Sequence, residues 1–367
     1  AMKTLRAIGL MSGTSLDGID VALIETDGER FVRPLAATGM AYGHDLRAAL
    51  RHCLNARARN AALDAVERAV TQSQSAAVEA LLDEAGIAAE TIDVVGFHGQ
   101  TITHVPPVDG EAGWTWQLGD GQAMADRLGI PVVHDFRAAD MAGGGEGAPL
   151  APVYHRALAA GAETAFPIAF LNIGGVSNLT YLADAEAPPI GFDTGPGNAP
   201  IDDLVERRLG RTMDEGGTVA AQGVCDEAVL ARLMAHPYFA RPYPKSLDRN
   251  AFDLSAVEPL ATEDAAATLV AFLAESVKRG AELLPAPPTV WFVTGGGRRN
   301  PVVMATLESR LGVPVRPVED LDADGDVLEA QAFAYMAVRT LKGLPISFPE
   351  TTGTAQPCVG GRLARPR

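Results

Sequence analysis

Apolar and polar residues near the start of the chain alternate in a way that predicts short strands and amphipathic helices. Apolar runs at residues 5–11 and 19–26 are separated by the small polar turn 12–18, which is typical of a β-hairpin. Further predicted elements are helices at 44–54 and 63–85 and buried strands at 92–97 and 130–134. The polar stretch between the strand at 92–97 and Gly121 is predicted to be a loop.

The same order of elements returns in the second half of the chain. A strand at 166–173, a Gly/Ser turn at 174–178 and a strand at 179–183 repeat the first hairpin roughly 160 residues later. The remaining predicted elements are strands at 190–193, 290–294 and 313–318 and helices at 153–160, 199–209, 262–284, 301–311 and 327–341. Strands mixed with helices in both halves predict two related α/β halves.

Length and charge narrow the class of protein. The 367 residues are enough for two domains of the usual size, and 46 acidic against 30 basic residues give a net charge of −16. That balance argues against binding to nucleic acid or to an anionic membrane surface. The three cysteines form no CxxC pair, and no apolar stretch approaches the roughly 20 residues of a membrane span, which favours a cytoplasmic protein.

The first candidate for chemistry is the turn between the two opening strands. Small residues in a tight turn expose consecutive backbone N–H groups, and their hydroxyl groups add donors, which together bind anions such as phosphate. A plain hairpin turn is the alternative, because the turn has no Walker pattern and no helix follows it directly. Asp17 and Asp20 would either lie near a magnesium ion or cap the turn.

Two further glycine turns have the pattern of phosphate-binding loops. One is the repeat at 172–178, and the other, 294–300, follows an apolar strand and opens a helix, whose N-terminus favours negative charge. A single such loop is most often only a tight connection, whereas three in one chain predict a nucleotide held between the two halves. The predicted nucleotide-binding residues are Gly13, Thr14, Ser15, Leu16, Asp17, Gly18, Ile19, Asp20, Gly174, Gly175, Ser177, Asn178, Gly295, Gly296 and Gly297.

The segment 191–198, GFDTGPGN, places the carboxylate of Asp193 at the predicted end of a strand, before a stiff Gly/Pro turn. A carboxylate in such a place suits a general base. The alternative is that Asp193 caps the following helix. Asn198 lies nearer to the start of that helix, and the flanking glycines indicate that something approaches the backbone, so the catalytic interpretation is favoured.

Three other side chains have both a functional and a structural interpretation. His98 follows a predicted buried strand, and most histidines in that place are hydrogen-bonded structural residues. Arg137 follows another strand and would either form a surface ion pair or bind a substrate carboxylate with its fork. Glu329 lies in the first turn of an apolar helix, where it would either complement the helix dipole or serve as a second active-site carboxylate.

Ordered blocks of residues along nearly the whole chain resemble one family, the anhydro-N-acetylmuramic acid kinases of the actin/hexokinase/heat-shock-chaperone ATPase superfamily. The blocks are residues 11–20, 96–101, 117–121, 132–140, 144–149, 172–178, 192–198, 294–300 and 329–334, and the match is looser at 245–250. The resemblance implies an actin-like ATPase (ribonuclease H-like) α/β fold of two lobes, each a mixed β-sheet flanked by helices, with the nucleotide in the cleft. The lobes would be 1–137, to which 350–367 returns, and 138–349.

The resemblance also implies an activity, namely ATP-dependent phosphorylation of 1,6-anhydro-N-acetylmuramic acid together with hydrolytic opening of the anhydro ring, in cell-wall recycling. Asp193 and Glu329 would be the catalytic residues, and ATP with Mg²⁺ the cofactor. No residue is assigned as a direct metal ligand, and Asp17 or Asp20 could contact the metal through water. The substrate-binding residues would be Ser12, His98, Arg137, Gly195 and Asn198. The family further implies a homodimer, and the net charge already argues against nucleic-acid or membrane partners.

Two other functions are compatible with the phosphate loops. Another sugar or small-acid kinase of the same superfamily would phosphorylate a free hydroxyl group and would not add water. A nucleotide-switched assembly or chaperone module would hydrolyse ATP independently of any sugar. The FDTGPGN turn and the set of pocket-type loops favour the anhydro-sugar kinase over both, although fold alone does not fix function.

Overall fold

The chain forms two compact α/β units in the computed structural model, which describes residues 3–247 and 251–367. The first unit comprises the residues up to 161 together with 326–367, and the second comprises 162–325. These boundaries differ from the predicted ones, 137 and 349, because 138–161 and 326–349 belong to the first unit. Residues 248–250, part of the segment with the looser family match, lie outside the described residues.

The described residues form strands and helices in both units. The strands are β1 (Leu5–Ser12), β2 (Gly18–Thr26), β3 (Val32–Ala41), β4 (Val94–Val105), β5 (Trp114–Leu118), β6 (Val132–His134), β7 (Ile168–Ile173), β8 (Val176–Leu182), β9 (Ile190–Pro196), β10 (Val290–Thr294), β11 (Val315–Pro317) and β12 (Arg362–Ala364). The helices are α1 (His44–Cys53), α2 (Ala61–Ala85), α3 (Gly121–Leu128), α4 (Ala138–Ala142), α5 (Pro152–Ala160), α6 (Ala199–Leu209), α7 (Thr218–Ala221), α8 (Glu227–Met234), α9 (Thr262–Glu282), α10 (Pro301–Leu311), α11 (Leu328–Leu341) and α12 (Pro349–Thr352). None of the helices described is long and apolar enough to cross a membrane.

The two sheets share one strand order and one set of directions. In the first unit β1, β2 and β3 form an antiparallel meander, and β4 and β6 continue in parallel from the other side of β1. In the second unit β7, β8 and β9 form the meander, and β10 and β11 continue in parallel from β7. This arrangement is that of the ribonuclease H-like fold. The internal repeat predicted from the sequence is therefore a repeat of topology, and the predicted fold class is confirmed.

The first sheet contains strands that the hydrophobic pattern did not predict. β3 is an edge strand with mostly exposed or half-exposed residues, so it lacks the alternating burial by which a strand is recognised. The predicted polar loop up to Gly121 is wrong, since β4 continues to Val105 and pairs with β5. Polar side chains in this hairpin, such as Thr115 and Gln117, bond to one another and are half-exposed, which gave the segment a loop-like composition.

Helix α11 packs on the first sheet at two glycines, and this contact explains why it belongs to the first unit. A Cβ atom at Gly9 of β1 would overlap the carbonyl oxygen of Ala330, and one at Gly96 of β4 would overlap that of Phe333. Glycine in a strand interior often marks such a close backbone approach. The contact fixes the first turn of α11, which carries Glu329, relative to β1 and β4.

The core of the second unit is built around α9. This helix is buried on most of its circumference and packs against β9 and the helices α6, α7, α8 and α10. A helix buried in this way is an interior element rather than a surface one. It provides a rigid support for β9, the strand that contains Asp193.

Candidate active site

The turn between β1 and β2 presents small residues to solvent. The turn proper is residues 13–17, because 18–20 already belong to β2. The N–H of Leu16 donates to the carbonyl oxygen of Gly13 at 3.2 Å, and the buried Leu16 side chain anchors the turn. Residues 13–15 remain exposed, so their backbone and hydroxyl donors are accessible to an anion.

Two buried glutamines lie beneath this turn. The side-chain nitrogen of Gln74 donates to Ser12 Oγ at 3.1 Å and to the Tyr42 hydroxyl at 2.9 Å, and that of Gln100 donates to the Gly13 carbonyl at 3.0 Å. The Oε1 atoms of both glutamines are buried without a hydrogen-bond partner in the described structure. Neither glutamine is predicted from the sequence as a site residue, although an amide in the buried stripe of a helix, as at Gln74, is a usable signal.

His98 is buried inside β4 rather than following it, because the strand continues past its predicted end at residue 97. Its Nδ1 lies 2.8 Å from the Gly99 carbonyl oxygen, and its Nε2 lies 3.1 Å from Nε of Arg137. Because an arginine nitrogen only donates, Nε2 must accept and Nδ1 must carry the proton. Burial and the Arg137 charge lower the pKa of His98 to about 3, so the ring is neutral.

Arg137 is held from a second side by the glycine-rich loop that precedes α5. Its Nη1 donates to the Gly147 carbonyl at 2.9 Å, and the N–H of Gly147 donates to Asp140 Oδ1 at 2.7 Å. The other oxygen of Asp140 accepts from the hydroxyl groups of Ser347 and Thr352 at 2.6 and 2.5 Å. Burial lowers the pKa of Arg137 to about 10, and the group stays charged at neutral pH. Arg137 therefore bonds to a histidine ring and a backbone carbonyl, and not to a surface carboxylate as in the alternative prediction.

Glu329 lies in the first turn of α11, as predicted, and its surroundings distinguish it from an ordinary helix-terminal acid. Although the side chain is accessible to solvent, the protein around it removes enough hydration to raise its pKa, while the Arg137 charge opposes that shift. One turn further on, the ring of Phe333 lies 4.8 Å from the ring of His98. The first unit thus brings Arg137, His98 and Glu329 together.

The second glycine turn, between β7 and β8, is bonded to the segment that follows Asp193. The N–H of Gly197 donates to the Gly175 carbonyl at 2.8 Å, and that of Asn198 donates to the Gly174 carbonyl at 2.7 Å. These two contacts hold the predicted phosphate turn and the GFDTGPGN segment against each other within the second unit.

The third glycine turn, after β10, contacts the end of β7. Thr294 Oγ1 donates to Asn172 Oδ1 at 3.3 Å, and Gly295 has φ 77° and ψ 175°, a conformation that only glycine adopts readily. A Cβ atom at Gly295 would lie 2.5 Å from the Ile173 carbonyl oxygen. The structure therefore brings the second and third predicted loops together.

The residues of these turns fit the phosphate groups of a nucleotide. The Ser177 hydroxyl is buried and has no hydrogen-bond partner in the part of the chain that the structure describes, and such an orphaned group calls for a bound partner. No group of three or more His, Cys, Asp and Glu among the described residues could hold a metal ion. Asp17, predicted to lie near a magnesium ion, accepts from Arg47 at 2.8 Å.

Asp193 lies within β9 rather than at its end, because the strand continues to Pro196. A register shift opposite Ser177 and Asn178 interrupts the pairing of β8 with β9 at this point. Such bulges often occur beside active sites, where they re-aim a side chain. Asn198 is the residue before α6, so the helix-capping alternative for Asp193 is excluded.

Among the described residues, one nearby segment forms three hydrogen bonds that hold Asp193 in place. The Leu247 N–H donates to Asp193 Oδ2 at 2.7 Å, the Asp193 N–H donates to the Lys245 carbonyl at 3.2 Å, and the Tyr238 hydroxyl donates to the Asp193 carbonyl at 2.6 Å. The half-buried carboxylate is therefore oriented before any substrate arrives. Gly195, predicted to bind substrate, packs against Ser276 of α9.

Both units are ribonuclease H-like, and each has a turn of small residues between its first two strands. An oriented carboxylate lies beside the second of these turns. These features define the class of protein, a phosphotransferase of the actin-like ATPase type. The model of the family described as anhydro-N-acetylmuramic acid kinase matches residues 5–365. This chain belongs to the anhydro-N-acetylmuramic acid kinase family. The predicted family and enzyme class, an ATP-dependent sugar kinase, are confirmed.

Relatives named anhydro-N-acetylmuramic acid kinase match the chain over its full length. The protein from Rhizorhabdus wittichii is 49% identical, covering 100% of both chains, and that from Azorhizobium caulinodans is 51% identical, covering 99% of this chain and 100% of its own. Among solved structures, component A of the Acidaminococcus fermentans (R)-2-hydroxyglutaryl-CoA dehydratase is 12% identical over 92% of this chain and 99% of its own, with a TM-score of 0.49. The fold assignment rests on strand topology and not on that likeness.

Proposed function

We propose that this chain converts 1,6-anhydro-N-acetylmuramic acid, ATP and water into N-acetylmuramic acid 6-phosphate and ADP, with Asp193 as the general base. The observation that carries the proposal is the Asp193 carboxylate, which the Leu247 N–H orients at 2.7 Å beside the glycine turns of the second unit. Family membership supports the substrate class.

The bonding of the substrate explains why a base is needed. In a 1,6-anhydro sugar O6 is bonded to C1, so there is no free 6-hydroxyl group to phosphorylate. Water attacks C1 as Asp193 removes its proton and the C1–O6 bond breaks. O6 then bonds to the γ-phosphorus of ATP, the bond from that phosphorus to the bridging oxygen breaks, and ADP leaves. The first half resembles an inverting glycosidase, in which one carboxylate activates water.

The nucleotide is assigned to the three turns. In this proposal residues 13–20 and 174–178 hold the ATP phosphates, and 295–297 line the adenosine side. Mg²⁺ bound with the nucleotide supplies positive charge for phosphoryl transfer. The chain itself contributes fixed backbone donors, which suit phosphate oxygens.

The sugar is assigned to the charged residues of the first unit. Arg137, already oriented by His98 and Gly147, suits the lactyl carboxylate, because the planar guanidinium binds carboxylates bidentately. Glu329 is proposed as the second carboxylate, which orients a hydroxyl group of the substrate or the attacking water. Asn198 is proposed as a further polar contact. Ser12, predicted to bind substrate, is 2% exposed, and its hydroxyl donates to the Gly99 carbonyl at 3.2 Å and accepts from Gln74 at 3.1 Å, so it supports the turn instead. A homodimer in the cytoplasm completes the proposal.

The test follows oxygen from solvent into product. The protein is incubated with ATP, Mg²⁺ and 1,6-anhydro-N-acetylmuramic acid in ¹⁸O-water, quenched within minutes and analysed by mass spectrometry. We expect one label at C1 and none in the phosphate ester. Product without enzyme, kept in ¹⁸O-water for the same time, controls for exchange at the anomeric carbon.

The same assay tests Asp193. We expect Asp193→Asn to bind ATP normally and to lose turnover by roughly 10²–10⁴-fold, the usual contribution of a general base. Asp203→Asn, at an exposed carboxylate on α6, is the matched control and should retain activity. Near-normal turnover of Asp193→Asn would remove that residue from the base role.

The remaining outcomes separate the competing functions. An unlabelled phosphorylated sugar would indicate a kinase that acts on a free hydroxyl group. ATP hydrolysis without any sugar product would indicate an assembly-type ATPase.

A further inference from the structure

A buried lysine lies next to Asp193 and has no part in the chemistry described above. Lys245 is 4% exposed, and its Nζ donates to the Tyr238 carbonyl at 3.0 Å. The same nitrogen lies 4.4 Å from the centre of the Tyr238 ring and 5.5 Å from that of Phe192. The lysine therefore links Tyr238 to the strand residue directly before Asp193.

The side chain of Lys245 closes the segment 238–247 upon itself. Both ends of this segment bond to Asp193, Tyr238 through its hydroxyl and Leu247 through its N–H. The Tyr243 ring between them stacks on Phe192, with centroids 5.3 Å apart and planes 3° from parallel. The position of the Leu247 N–H, and with it the orientation of the carboxylate, thus depends on how firmly this segment is held.

Packing alone does not account for a lysine at this position. Burying an ammonium group costs free energy unless it is paired, whereas methionine would fill a similar volume without that cost. Among the described residues, Nζ contacts one carbonyl oxygen and two ring faces, and burial together with the Arg241 charge lowers the pKa of Lys245 to about 8. Retaining an ammonium here is costly, which is consistent with a function for the charge.

We propose that Lys245 is a positioning residue for the catalytic base: its ammonium group, held between the Tyr238 and Phe192 rings, fixes segment 238–247 so that the Leu247 N–H orients the Asp193 carboxylate toward water. The proposal rests on the proposed role of Asp193. Displacement of a catalytic group by about 1 Å can lower turnover by about 100-fold, so an effect of this size is expected without loss of fold.

The experiment compares Lys245→Met with a matched control in the full chain. Arg241 is exposed, and its guanidinium lies 5.7 Å from the centre of the same Tyr238 ring, so Arg241→Met also removes a cation from that ring. We expect Lys245→Met to lower kcat by roughly 100-fold with both KM values within about twofold and Tm unchanged or higher. Arg241→Met should retain kcat.

Two further measurements distinguish positioning from general packing. Propylammonium ion, which restores the missing part of the side chain, should recover part of the kcat of Lys245→Ala. 1-Propanol, an uncharged alcohol of similar size, should not. In an Asp193→Asn background, Lys245→Met should cause no further loss, because the residue acts through Asp193.

The outcomes separate this proposal from the proposed function. If Asp193→Asn is inactive and Lys245→Met has normal kcat, the positioning role is wrong and the base stands. A parallel loss of kcat, of both substrate affinities and of Tm, without rescue by propylammonium, would also overturn it. If Asp193→Asn is active, the proposed base itself is wrong.

Discussion

The guanidinium group of Arg137 is oriented from two sides before any substrate arrives. Neutral His98 accepts from its Nε at 3.1 Å, and the Gly147 carbonyl accepts from its Nη1 at 2.9 Å. His98 is 3% exposed, so the role we propose for it is to orient Arg137 rather than to touch a ligand as predicted from the sequence. A fork held in this way loses less conformational entropy on binding a carboxylate.

Arg137→Ala should therefore weaken the sugar and spare the nucleotide. We expect KM for 1,6-anhydro-N-acetylmuramic acid to rise by roughly 100-fold, about 2–3 kcal/mol for a charge-assisted contact, with KM for ATP nearly unchanged. For the 1,6-anhydro derivative of N-acetylglucosamine, which lacks the lactyl carboxylate, the unsubstituted protein and Arg137→Ala should have similar kcat and KM. Arg33→Ala, at an exposed ion pair, is the control. Equal weakening of sugar and ATP would refute the carboxylate contact.

At the scale of elements, the ends of strands and the turns after them carry the proposed nucleotide chemistry. Within the second unit, the turn after β7 bonds to residues 197 and 198, and the turn after β10 lies against the end of β7. Parallel strands place their carboxyl ends at one edge of a sheet, which is where ligands bind in α/β folds. The convergence follows from the parallel pairing of β7 with β10.

Gly295→Ala tests this convergence. The change forces a Cβ into a conformation that only glycine adopts readily and to within 2.5 Å of the Ile173 carbonyl, so the loop must move away from β7. We expect KM for ATP to rise by about tenfold or more, about 1.4 kcal/mol. Gly312→Ala is the matched control for Gly295→Ala. Gly312 also has a positive φ, 70°, but no atom lies close to where its Cβ would be. Gly312→Ala should cost about 1 kcal/mol of stability and leave KM for ATP unchanged.

At the scale of the whole molecule, buried histidines couple stability to pH. Burial lowers the pKa of His134, and three other histidines have larger shifts. Burial, with a smaller effect of the Arg137 charge on the first and second, lowers the pKa of His98 to about 3, of His104 to about 4 and, by burial alone, of His155 to about 3. All three belong to the first unit. Their unfolded forms take up protons as pH falls through about 6.5, while the folded forms do not until pH 4 or below.

The first unit should therefore lose stability as pH falls from about 6.5 toward 4. Each histidine adds up to about 1.4 kcal/mol per pH unit, and urea unfolding between pH 7.5 and 5 would measure the slope. His155→Gln should make the slope shallower, whereas His44→Gln, at an exposed position, should not. A slope that His155→Gln leaves unchanged would show that this histidine takes up its proton equally in the folded and unfolded states.

Much of the fold was predictable because its signals are local. The helices at 199–209 and 301–311 and the strand at 290–294 match their predicted bounds, since Pro near each helix start and Gly after each end are read from neighbouring residues. β3 was missed because an exposed edge strand has no burial pattern. α11 was assigned to the wrong unit because its partners, Gly9 and Gly96, are more than 200 residues away along the chain.

By itself, the sequence determined the internal repeat, the three glycine turns, the family and the candidate carboxylate Asp193, because each depends on residues adjacent along the chain. Only the tertiary structure decided which side chains surround them. The amides of Gln74 and Gln100 beneath the first turn, His98 beside Arg137 and Lys245 beside Asp193 are examples. Such neighbours come from distant segments, and packing around a shared core, rather than any local pattern, brings them together.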